Sequence, residues 1–129
     1  MAVSNLLAVA GRDRKPSVID EDHLGRMTLG DRSLEREVLE IFVRQTTIML
    51  TRIAGAQPAL AAAAAHTLTG SARGIGAWRV AQAAERLEHA AGGDGGEAGV
   101  EEAIVELRAA ALEASAAIGA RLGGPLSGF

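Results

Sequence analysis

From Asp20 onward the apolar positions recur with the 3.6-residue period of helices and not with the alternation of strands. Asp20 is placed to cap a brief helix carrying Leu24 and Met27 that ends at Gly30. Asp31 or Ser33 then opens a long helix with apolar positions Leu34, Val38, Ile41, Phe42, Ile48, Met49 and Ile53. The run Gly55-Ala56-Gln57-Pro58 breaks it, and Pro58 suits a first helical turn. A helix over about 58–74 follows, with Leu60, Ala64, Leu68, Ala72 and Ile75 as its core stripe, and Gly74-Ile75-Gly76 ends or bends it. A further helix over about 77–91 buries Val80, Ala84, Leu87 and Ala91, and the cluster Gly92 to Gly96 makes a turn. The last helix is the most regular, stepping by three and four through Val100, Ile104, Leu107, Ala111, Ala114, Ile118 and Leu122.

Short connections make sequential helices antiparallel neighbours. The expected fold is all-α: an up-down antiparallel four-helix bundle with an additional short N-terminal helix, spanning residues 18–122. Residues 1–17, which end in Arg12-Asp13-Arg14-Lys15-Pro16-Ser17, read as an N-terminal tail or linker. Residues 123–129, rich in Gly and Pro where a helix should stop, read as a C-terminal tail.

Composition narrows the chemistry. Of 129 residues 48% are apolar but only 2% aromatic, and alanine occurs 27 times, so the core must be aliphatic and alanine-rich. The absence of cysteine excludes disulfides, thiolate zinc sites and cysteine nucleophiles. A net charge of −3 and the scarcity of stacking aromatics give no basis for nucleic-acid binding. No apolar run reaches the length of a membrane span. The mild apolar stretch Met1 to Ala10 lacks a preceding basic region, so it reads as a tail and not a signal peptide, and the expected location is cytoplasmic. The glycines at 70, 74 and 76 match no phosphate-loop order. Glu85 with His89 is one imperfect pair where a di-iron bundle needs two matched motifs, so no metal site is expected.

Among the three histidines, His23 sits in an acidic first turn and reads as a surface residue, while His89 lies near a helix C-terminus, where the dipole favours a cation. His66 is different. At 100° per residue it lies about 160° around the helix from Leu68 and points away from the core. Ala59, Ala62, Ala63, Gly70 and Arg73 share that face, and Thr69 flanks it. An exposed face normally carries Glu, Lys and Arg. Here it carries methyl groups, and Gly70 costs about 1 kcal/mol relative to alanine inside a helix. Close approach of another chain would explain that face; plain alanine filler is the alternative.

The stretch Ala65-His66-Thr67-Leu68-Thr69-Gly70-Ser71-Ala72-Arg73-Gly74-Ile75-Gly76-Ala77 resembles the motif of histidine-containing phosphotransfer (HPt) domains, usually A-H-x-L-K-G-S-x-x-x-x-G-A. Leu29-Gly30-Asp31, running on to Leu39-Glu40-Ile41-Phe42, resembles the start of the family's long second helix. The resemblance covers about residues 18–122 and implies a four-helix bundle. It makes His66 the phosphoryl acceptor, and it gives Glu88, 22 residues on, the family role of bonding the imidazole. Ala62, Ala63 and Gly70 would form the docking face. The family lysine three residues after the histidine is replaced by Thr69, and Arg73, one turn further, could supply the missing cation.

The implied activity is relay of a phosphoryl group between aspartates of receiver domains, or from a histidine kinase to a response regulator, without ATP-dependent kinase activity of its own. Partners would be a response-regulator receiver domain or a hybrid histidine kinase, with no nucleic acid and no membrane. No cofactor is implied for this chain; Mg²⁺ is expected on the partner receiver. The alternative is an adapter with the same bundle that docks a kinase or receiver without carrying phosphate. Thr69 favours the adapter, whereas His66, Gly70 and Glu88 together oppose it.

Overall fold

The computed structural model describes residues 18–94 and 96–123, so the expected tails, apart from Gly123, lie outside the described residues. Helix α1 spans Glu21–Met27 and is capped by Asp20, whose carboxylate accepts from the His23 amide. Helix α2 spans Arg32–Ile53; Asp31, not Ser33, is its cap, accepting from the Leu34 amide at 3.0 Å. Helix α3 spans Pro58–Ile75 with proline in its first turn, and α4 spans Trp78–His89. A wide π-helical turn over Ala90–Asp94, with Gly93 at φ 114°, leads into α5, Gly96–Arg121. Every described helix end falls near a cap or breaker legible in the chain, and the described residues contain no strand.

Helix α3 packs on α2 and α4, α5 packs on α4, and α2 closes the ring against α5. Helix α1 lies across the α3 end of this four-helix bundle. The core is aliphatic, as the composition requires: Leu39, Phe42, Val43, Leu68, Val80, Leu87, Leu107 and Ile118 are joined by many buried alanines. Each fully buried leucine contributes roughly 1.5–3 kcal/mol of transfer free energy.

The stripes of α1, α2 and α3 need correction. Met27 is exposed, and only Leu24 of α1 is in the core. In α2 the buried positions are Leu39, Phe42, Val43, Thr46 and Ile53, while Leu34, Ile41 and Ile48 face outward. Apolar residues surround that helix, so periodicity alone allowed two phases; the phase occupied brings Phe42 and Val43 inward against the neighbouring helices. In α3 the stripe is Ala61, Ala65, Leu68, Thr69, Ala72 and Ile75, and Leu60 is 66% exposed. Ala91 falls in the π-helical turn and is half-buried, beyond the end of α4.

Candidate functional site

Helices α3 and α4 form an antiparallel hairpin joined by Gly76 and Ala77 alone. Gly76 closes α3 in the left-handed region at φ 81°. A Cβ there would stand 2.9 Å from the Asp20 Cβ and 3.0 Å from the Asp20 carbonyl oxygen. Glycine is thus required twice, for conformation and for the seating of α1. The Asp20 amide donates to the Gly76 carbonyl at 3.0 Å, and the Trp78 indole N–H donates to the Asp20 carboxylate at 2.9 Å.

Ten residues before Gly76, His66 projects from α3 toward solvent, with 76% of its side chain exposed. Its Nδ1 lies 2.9 Å from Oε2 of Glu88 on α4. An ionised carboxylate can only accept, so the proton of this bond sits on Nδ1, and the neutral ring keeps its Nε2 lone pair free. No described residue is hydrogen bonded to Nε2. The contact with Glu88 favours the tautomer protonated at Nδ1, in which Nε2 is the unprotonated nitrogen.

The other sequence-predicted residues divide. Gly70 and Ala63 are exposed on the His66 side, Ala62 is half-buried, and no atom lies within 4 Å of where a Gly70 side chain would begin. Thr69 does not flank an open face. It is 5% exposed, and its hydroxyl donates to the Ala65 carbonyl at 2.9 Å, so it is turned away from any group on His66. The reason is azimuth: 60° of rotation from His66 carries position 69 into the packed interface, where a long lysine could snorkel outward but a threonine cannot. Arg73 makes no contact with His66; its guanidinium pairs with Glu85 of α4 at 3.3 Å. His23 departs from the surface reading. Its ring packs 4.9 Å from that of Trp78, and its Nε2 is buried with no hydrogen-bond partner among the described residues. His89 is exposed at the last position of α4.

Two features escaped the sequence reading. Glu85 holds Arg73, which only the antiparallel register of α3 and α4 could reveal. A cleft of about 480 Å³ between the end of α2 and the first half of α3 is lined by Met49, Arg52, Leu60, Ala63, Ala64 and Thr67, among others. Ala63 and Thr67 connect it to the His66 face. The signal for it was present in Leu60, an apolar residue whose azimuth sits well off the Leu68–Ala72 line.

The sequence model of one family, the Hpt domain, matches residues 37–117, well over half the chain. No curated protein and no solved structure matches it. The matched span holds α3, α4 and most of α2 and α5, including the pair His66 and Glu88. The chain belongs to the Hpt domain family.

Proposed function

We propose that this protein relays a phosphoryl group through His66, taking it from an aspartyl phosphate of a receiver domain and passing it on to another. The family carries histidine phosphotransfer in phosphorelays and works with kinases and receivers. The observation that carries the reading to these residues is the 2.9 Å contact between Glu88 and Nδ1, which leaves Nε2 free on an open surface.

The Nε2 lone pair forms the N–P bond while the P–O bond to the receiver's aspartate breaks and the carboxylate leaves with its electron pair. The Nδ1 proton stays on the ring, which becomes positively charged beside Glu88. That carboxylate then neutralises charge developing in the transition state and holds the ring's orientation, the two contributions on which phosphoryl transfer chiefly depends. The partner supplies the divalent cation at its own aspartate. Gly70, Ala62 and Ala63 let the receiver approach, and the apolar cleft beside Ala63 extends the surface.

The test is incubation with a panel of phosphorylated receivers. Phosphate should appear on the protein in an acid-labile, alkali-stable form, and His66→Gln should lose it entirely. Equal labelling of His66→Gln would remove His66 from the acceptor role. One observation favours the adapter reading, namely that buried Thr69 leaves no cation at the family's lysine position. Binding of a receiver without any transfer of phosphate would establish the adapter instead.

A further inference from the structure

We propose that Arg73 is an exchangeable clamp, held by Glu85 while His66 is bare and released to the phosphoryl oxygens once His66 carries phosphate. This rests on the reading of His66 as the acceptor. Along α3 the two residues lie about 20° apart in azimuth and about 10 Å apart in rise, which looks too far. The α4 side of the hairpin closes the gap. Glu85 and Glu88 are i,i+3 neighbours on α4, about one helical turn apart. One holds Arg73 and the other holds His66. The guanidinium therefore stands about one turn from the imidazole, and helical side chains lean toward the N-terminus, so Arg73 leans toward His66.

The resting bond is suited to exchange. It is a single contact at 3.3 Å between side chains 55% and 46% exposed, the kind of ion pair that contributes little. A phosphoryl group offers a guanidinium two oxygens and more charge. A phosphoryl group on Nε2 would add negative charge to a hairpin that already carries Glu88 and Glu85, and Arg73 is the cation that pairs with one of them. Arg86 and Arg79 are committed elsewhere, to Glu106 and Glu113 of α5 at 2.8 Å each.

The experiment labels His66 with phosphoramidate, a small phosphoryl donor that needs no receiver, with His66→Gln as the blank, and follows the phosphohistidine lifetime. An exposed ion pair is worth up to about fivefold. Arg73→Ala should shorten the lifetime by up to that factor, Arg73→Lys should restore part of it, and Glu85→Gln should lengthen it. In the Arg73→Ala background Glu85→Gln should have no further effect. The proposal is overturned if Glu85→Gln lengthens the lifetime equally in both backgrounds, if neither single variant changes it, or if Arg52→Ala across the cleft shortens it in place of Arg73→Ala. Failure of the relay reading looks different: phosphoramidate would label His66 while no receiver transfers to it.

Discussion

A methyl group more or less decides what happens around His66. Gly70 sits one turn along the same face with open space where a side chain would begin. Replacing it with glutamine should raise helix propensity by up to about 1 kcal/mol and leave the fold intact. The same side chain would stand in the path of an incoming receiver and should slow transfer by about tenfold or more, since small misplacements of reacting groups are costly. Thermal unfolding and transfer kinetics on Gly70→Gln check both halves, and an unchanged rate would mean that partners do not approach over this glycine. Asp20 gives a second test. Its carboxyl is held below the ordinary value of 3.8, chiefly by the Trp78 indole N–H and then by the His23 amide. A group with a depressed folded pKa stabilises the fold above the unfolded value, and that stabilisation is lost as pH falls through the folded value. The two donors address different oxygens of the carboxylate, and in asparagine one of those oxygens becomes an amide nitrogen that cannot accept. Wild type should therefore unfold at higher urea than Asp20→Asn at neutral pH, with the difference shrinking below about pH 4. Trp78, the sole tryptophan, reports it by fluorescence.

At the scale of elements the α3–α4 hairpin is the decisive unit. Gly76→Ala forces a left-handed residue and pushes on Asp20, which should cost on the order of 2–3 kcal/mol. Gly74→Ala, two residues earlier in helical backbone with free space, should instead stabilise by about 0.5–1 kcal/mol. Opposite shifts in denaturant midpoint would separate the two glycines. The contrast also shows what was legible in the chain. Caps and breaks were readable because they are local: Asp20, Asp31, Pro58 and Gly76 act within a few residues. Outer-face placement of His66 followed from azimuth alone, and its spacing to Glu88 from the motif. Stripe phase in α2 was not readable, because Leu34, Ile41 and Ile48 compete with Leu39, Phe42 and Val43 and only the neighbouring helices choose between them. Thr69 was misplaced, and the partner of Arg73 was missed, for a related reason. Sixty degrees of rotation and one carboxylate on another helix lie below what a single-helix wheel resolves.

Over the whole molecule, helices remote in the chain are tied at one end of the bundle. Arg121 of α5 bonds Glu21 of α1 at 2.8 Å and Glu35 of α2 at 2.9 Å, and Arg36 donates to the Leu122 carbonyl at 3.0 Å. None of the described helices is long and apolar enough to cross a membrane, although Val105 and Leu112 of α5 lie exposed on its outer side. The clasp shares no residue with the His66–Glu88 pair, so the bundle's closure and the candidate site are built from different side chains.

The seat of α1 has a consequence for how the protein is made. This helix leaves the ribosome before the other four described helices, yet its cap Asp20 is bonded to Gly76 and Trp78, and Glu21, 100 residues earlier than its partner, to Arg121. Synthesis adds roughly 5–20 residues per second, so the first helix waits seconds for a place to rest. Until Arg121 emerges, Glu21 lacks the guanidinium that ties this helix to the last one. Of the described helices, the one made first is the one whose bonds are completed last.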